Sequence, residues 1–146
     1  MRRREDTRRP MEPVLPHTFE HRVNYSETDQ MGFVYYANYL VWFEIGRTEA
    51  LRAMGLPYRT LEEKGYFLPV VRAEIDYHEP ARYDDMIVIK SDIAEVRKSR
   101  VTFSNEIINK HTGKILAEGR VVLACLDGSR KPVRLPKEIG AARVKA

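Results

Sequence analysis

One segment of this chain has a helical period and is apolar on nearly every side, and any fold the chain adopts must cover it. Leu40, Phe43, Arg47, Leu51 and Met54 recur at steps of three and four, while Val41, Trp42, Ile45 and Ala50 widen the apolar surface beyond one stripe. A helix this apolar around its circumference is covered on several sides. Gly55 supplies a C′ residue and Pro57 prevents continuation. A short second helix fits Pro57 to Lys64.

The rest of the body reads as strand. From Thr18, the residues Phe19, His21, Val23 and Tyr25 alternate with Glu20, Arg22 and Asn24. Between Phe67 and His78, Val71, Ala73, Ile75 and Tyr77 share one face, and Arg72, Glu74 and Asp76 share the other. A loop at Pro80-Ala81-Arg82-Tyr83-Asp84-Asp85 follows. Three longer strands then fit Met86 to Val96, Arg100 to Asn109 and Lys114 to Leu126, with tight turns at Arg97-Lys98-Ser99 and Lys110-His111-Thr112-Gly113. Strand, helix and four strands in a meander predict an α+β fold, one antiparallel sheet packed on one long central helix. Its open edges invite pairing with a second copy.

At 146 residues the chain fits one domain. Hydrophobic content of 43% and charged content of 32% describe a soluble globular protein, and no apolar run approaches the ~20 residues of a membrane-spanning helix. The N-terminus has arginines but no apolar segment after them, so it does not read as a secretory signal, and a reducing cytoplasm is the expected location. Cys125 is the only cysteine, which excludes an internal disulfide and a multi-cysteine zinc site; in an apolar run it reads as a small buried thiol. Of the net charge of +4, residues 1–10 carry +3 (five arginines against Glu5 and Asp6), so the remaining body carries +1 and is not a nucleic-acid-binding face. Residues 1–16 are read as a basic N-terminal tail, 17–128 as the folded domain and 129–146 as a basic C-terminal tail.

The chemistry concentrates just before the helix, in Tyr25-Ser26-Glu27-Thr28-Asp29-Gln30-Met31-Gly32-Phe33-Val34-Tyr35-Tyr36-Ala37-Asn38-Tyr39. A helix N-terminus offers free N–H groups and the positive end of the dipole to a developing negative charge. A carboxylate beside such a site is a layout suited to acyl transfer. On spacing alone the structural reading of Asp29, a cap or Asx-turn residue, is favoured over the chemical one. Asn38 is the N-cap candidate, and Glu27 orients the loop. Glu44 and Arg47, three apart on the helix, suggest a salt bridge. His17 and His21 are four apart on a strand, roughly 13 Å, too far to share an ion, and no metal site is predicted. No glycine-rich phosphate loop, GxSxG elbow or dinucleotide fingerprint is present.

The string Tyr25-x-Glu27-Thr28-Asp29-x-x-Gly32-x-Val34-Tyr35-x-Ala37-Asn38-Tyr39-Leu40, followed by Phe43-Glu44-x-x-Arg47-x-Glu49 and later by Tyr77-x-x-Pro80-Ala81-Arg82-x-Asp84-Asp85, closely resembles the hotdog-fold acyl-CoA thioesterases. It is nearest the 4-hydroxybenzoyl-CoA thioesterase-like branch, which includes the thioesterase associated with the Tol–Pal system. The resemblance implies a sheet wrapped round the helix, assembly into dimers or dimers of dimers (a homotetramer), and hydrolysis of coenzyme A thioesters at the dimer interface without metal or cofactor. It assigns Asp29 as the catalytic carboxylate and the backbone N–H near Tyr36 as the group polarising the carbonyl, with Glu44 the second choice for the base. Tyr25, Gly32, Val34, Tyr35 and Asn38 are expected against the substrate, and the basic turn of Arg97, Lys98 and Arg100 against the phosphates of coenzyme A. The Tol–Pal-associated subgroup tends to carry histidine where this chain has Tyr36, so a histidine-assisted mechanism does not transfer. Two rival functions share the fold, a non-catalytic acyl-CoA-binding protein and a hydratase or dehydratase.

Overall fold

The computed structural model describes residues 14–144. Its elements are β1 (His17–Arg22), a 3-10 turn at Tyr25–Glu27, α1 (Asn38–Ala53), α2 (Tyr58–Glu63), β2 (Val70–Tyr77), β3 (Met86–Arg97), β4 (Arg100–Asn109), β5 (Ile115–Ala124) and α3 (Lys137–Val144). The five strands form one antiparallel sheet in the order β1-β3-β4-β5-β2. The expected four-strand meander is therefore confined to β3, β4 and β5. β2 pairs with β5 at the far edge, and not with β3. Its connection to β3 crosses the end of the sheet and is tied to the pre-helix loop, with Val34 N–H donating to the Ala81 carbonyl at 2.8 Å.

Alternation decides which face carries the helix. Ile87, Ile89, Ser91 and Ile93 of β3, Val101, Phe103, Asn105 and Ile107 of β4, and Ala117, Val121 and Leu123 of β5 are buried, while most residues between them are partly open. Helix α1 crosses this face and buries Trp42, Phe43, Gly46, Ala50 and Leu51. Gly46 marks the point of closest approach. A Cβ there would land on Ser91 Oγ and Ile89 Cγ2, so only glycine lets the helix backbone sit this low on β3.

The chain does not cover everything its pattern suggested. β2 is exposed at every position except Ile75, with Val70, Val71 and Tyr77 each close to half open. Leu40 and Val41 on α1 are also exposed. The apolar faces expected to be covered on several sides thus leave one apolar margin along β2 and the start of α1.

The segment after Gly128, expected to be a tail, is part of the packed body. Asp127 Oδ1 accepts the N–H groups of Ser129 and Lys131 at 2.8 and 3.0 Å, turning the chain back, and Val133 N–H then donates to the Cys125 carbonyl at 2.9 Å. Leu135 and Ile139 are buried, and α3 packs on β3. Three separated anchors did not produce a period that the sequence could display. Cys125 is buried, and burial pushes its thiol pKa up. Residues 1–13, most of the expected basic N-terminal tail, lie outside the described residues.

Replacing Gly46 with alanine should overpack the α1–β3 contact and lower stability by about 1–3 kcal/mol. Urea unfolding with an unchanged midpoint would show that the helix does not sit this close to β3.

Candidate active site

The loop between β1 and α1 is organised round the Glu27 carboxylate. Its Oε1 accepts from Asn24 N–H at 2.7 Å and lies 2.8 Å from His21 Nε2 on β1; its Oε2 accepts from Trp42 Nε1 on α1 at 2.6 Å. The Glu27 carbonyl receives the Asn38 side-chain amide and the Tyr35 N–H, both at 2.9 Å. One residue therefore joins strand, loop and helix. Burial pushes its carboxyl pKa up, but the Asn24, His21 and Trp42 donors outweigh that and hold it below the ordinary value. Asn38, expected as N-cap, is the first helical residue instead; the N-cap is Ala37, and the Asn38 amide serves to tie the loop back to Glu27.

Asp29 sits two residues beyond Glu27 with its oxygens in different circumstances. Oδ1 accepts from Met31 N–H at 2.9 Å and Phe33 N–H at 3.1 Å, an Asx turn. Gly32 closes this turn at φ +79°, a conformation that favours glycine. Among the described residues no donor reaches Oδ2.

A cavity of about 490 Å³ opens beside Asp29, lined mainly by Val34, Tyr35, Tyr36, Tyr39, Tyr77 and Pro80. At its wall the chain enters α1. Tyr35 N–H goes to Glu27, Asn38 N–H to the Tyr35 carbonyl and Leu40 N–H to the Ala37 carbonyl. The N–H groups of Tyr36 and Ala37 have no acceptor among the described residues. Asp29 and Tyr36 line the cavity, and Ala37, whose N–H is the second free donor, follows directly at the helix start.

Several expected site residues lie elsewhere. Tyr25 is on the 3-10 turn, 77% exposed, with its ring edge-on to Tyr83 at 5.4 Å, and does not line the cavity. Gly32 and Asn38 shape the loop from behind. Glu44 and Arg47 are not within ion-pair distance; Glu49 pairs with Arg52 at 3.5 Å instead. Desolvation lowers the pKa of the half-buried Arg47, with the charge of Glu44 opposing it. Arg97 is bonded to Glu95 at 2.7 Å. The Arg97–Arg100 turn is at the opposite end of the sheet from the cavity: Tyr77 is registered with Ala117 and Arg100 with Ala124. Seven residues of strand put roughly 23 Å between them. A second cavity, about 480 Å³, lies among charged residues of the sheet including Glu74, Lys90 and Arg120, and shares no residue with the first. Among the described residues no group of His, Cys, Asp and Glu is arranged to hold a metal ion.

A family model described as the thioesterase-like superfamily matches residues 23–142. This chain belongs to that family. The acyl-CoA thioesterase YbgC of Haemophilus influenzae is 37% identical over 86% of this chain and 92% of its own length. The acyl-CoA thioester hydrolase YbgC of Escherichia coli O157:H7 is 36% identical over 82% and 90%. Among solved structures, a 1,4-dihydroxy-2-naphthoyl-CoA thioesterase from Synechocystis superposes with a TM-score of 0.80 at 25% identity, covering 86% of this chain and 93% of that one. The fold is the hotdog fold, as the opening motif implied. Tyr77 and Pro80 of the second motif line the same cavity as Asp29.

The sequence marked Asp29 and Tyr36 but not what positions them. Glu27 takes its partners from β1 and α1, six and fifteen residues away. Glutamine at position 27 would turn one acceptor oxygen into a donor facing the Asn24 or Trp42 N–H. Glu27→Gln should cost about 1–3 kcal/mol at neutral pH. Because the folded pKa is depressed, the stability Glu27 contributes is full above the ordinary carboxylate pKa and is lost as pH falls through the folded value. Urea midpoints of the two proteins should therefore converge on acidification below about pH 4.5; a gap independent of pH would refute an ionised Glu27 clamp.

Proposed function

We propose that Asp29 and the free N–H groups at the start of α1 carry out the chemistry of an acyl-CoA thioesterase, releasing free acid and coenzyme A. The observation that supports this most directly is the division of labour within Asp29, one oxygen held by the loop and the other without a protein partner beside the cavity. Oδ2 takes a proton from water as the water oxygen bonds to the thioester carbon. Charge builds on the carbonyl oxygen, which the Tyr36 and Ala37 N–H groups receive. The C–S bond then breaks as the carbonyl re-forms, and the coenzyme A thiolate leaves and takes up the proton that Asp29 received, which returns Asp29 to its carboxylate. The family assignment and the thioesterase relatives favour this reaction over a hydratase or a binding protein.

The active unit we propose is a homodimer, paired again in a homotetramer, formed through the exposed β2 edge and the apolar margin beside it. Antiparallel pairing of β2 with its symmetry mate sets the Val70 end of one strand beside the Tyr77 end of the other. The basic turn of a second copy then lies at the same end of the joined sheet as this chain's Asp29. Within one chain about 23 Å of strand separates them. Arg97, Lys98 and Arg100 act in this arrangement on phosphates of coenzyme A bound at the neighbouring protomer's site. Among the described residues no helix is long and apolar enough to cross a membrane, and the cytoplasm is the compartment we assign.

Asp29→Asn should cut kcat by about 10²–10⁴-fold with KM and folding retained, while Tyr36→Phe, which spares the backbone, should cost much less. A fully active Asp29→Asn enzyme in a thiol-release assay would refute Asp29 and promote Glu44. Charge reversal by Lys98→Glu should raise KM, blunt its salt dependence and leave kcat near the parent value. In light scattering the protein should be a dimer or larger. An active monomer would remove the shared site.

A further inference from the structure

The cavity contains a contact that neither Asp29 nor the helix start accounts for. The Tyr77 hydroxyl, on the edge strand β2, donates to the Tyr36 carbonyl at 2.9 Å, across forty-one residues of chain. Among the described residues the other donor to that carbonyl, Tyr39 N–H, is 3.4 Å away. The Tyr77 ring is held edge-on to Tyr39 at 5.2 Å, and the Tyr39 hydroxyl accepts from Ala81 N–H at 2.9 Å. Tyr77 thus arrives at the peptide on a braced support.

The Tyr36 carbonyl and the Ala37 N–H belong to one planar peptide unit and point in opposite directions. Whatever fixes the carbonyl also fixes the N–H, and a hydrogen bond accepted by the carbonyl makes the N–H a stronger donor. The carbonyl of the preceding peptide, Tyr35, is held by the helix's own Asn38 N–H, so the Tyr36–Ala37 unit is the one that depends on a distant group. We infer that Tyr77 is a positioning residue for the reaction: its hydroxyl orients and polarises the Tyr36–Ala37 peptide so that the Ala37 N–H receives the charge developing on the thioester oxygen. The inference rests on the thioesterase reading of the site and adds the group that sets up its electrophilic half. It also gives the edge strand a part in catalysis, since the end of β2 that carries Tyr77 also borders the cavity.

Tyr77→Phe removes the hydroxyl and keeps the ring. It should lower kcat about 3–10-fold, the worth of one hydrogen bond, with KM within twofold and thermal stability near that of the parent. The donor itself can be removed separately. Lactate in place of Ala37, introduced by semisynthesis, puts an ester oxygen where the N–H was and avoids the restriction that proline would place on Tyr36 inside the Tyr35–Asn38 turn. That variant should lose about 10²–10³-fold in kcat, and adding Tyr77→Phe to it should cost nothing more, because the two act through one peptide. A purely packing role for Tyr77 predicts additive losses instead. An independent arm needs no turnover. In the Asp29→Asn background, the carbonyl stretch of bound acyl-CoA labelled with ¹³C at the thioester carbon should lie at lower frequency than in solution, and Tyr77→Phe should move it back toward the solution value. If the parent protein releases no thiol from any acyl-CoA, the hydrolase reading falls, while the infrared comparison still decides the role of Tyr77. Unchanged kcat and an unmoved carbonyl band in Tyr77→Phe would overturn the inference.

Discussion

The close seating of α1 on the sheet is the constraint from which the site follows. Trp42, Phe43 and Gly46 anchor the first half of the helix, with Gly46 permitting contact with β3 that no side chain would allow. Once that register is set, the entry point of the helix is fixed relative to β1 and to the end of β2. Two backbone donors are then left without partners at a place chosen by packing, not by the loop's own preferences. The loop is tailored to this fixed point: Glu27 reaches Trp42 on the helix and His21 on the strand, and a partly buried carboxylate with three partners is a rigid joint.

Asp29 shows why a structural and a chemical reading of a residue need not compete. A carboxylate has two oxygens, and the Asx turn uses one. The turn holds the side chain in place and leaves the second oxygen without a donor among the described residues, so the structural role fixes where the oxygen proposed for the chemistry stands. A freely rotating aspartate in the same loop would need to be ordered by each substrate it met, and that ordering would be charged to the barrier.

Much of this was legible in the chain. The helix and the last three strands are long, strongly periodic and locally bounded, and β4 has the limits its sequence gives, Arg100–Asn109. What the sequence could not show is partner choice. Nothing local distinguishes a β2 that pairs with β3 from one that pairs with β5. Asn38 has the right chemistry for an N-cap, yet Ala37 takes that position because the Asn38 amide is drawn to the Glu27 carbonyl. The C-terminal segment was read as a tail because Leu135 and Ile139 stand among prolines and cations, where isolated apolar anchors form no pattern. The motif drew attention to Asp29 and Tyr36, both of which line the cavity. Tyr77 entered only as one letter of a second motif, its hydroxyl bond depending on a strand-to-loop contact across the fold.

The edge position of β2 connects these observations. A strand buried on one face by its own helix would have no reason to be open from Val70 to Asp76 except at Ile75, and such an edge is a liability unless something covers it. The same strand ends at Tyr77, whose hydroxyl reaches the peptide at the helix start. Anything that orders β2 therefore orders the Tyr77 support, and an unpaired, fraying edge would loosen it. The proposed assembly and the proposed chemistry meet in this single strand. The fold leaves an open edge next to the Tyr36–Ala37 peptide, so the edge pairing proposed above would also hold that peptide in place.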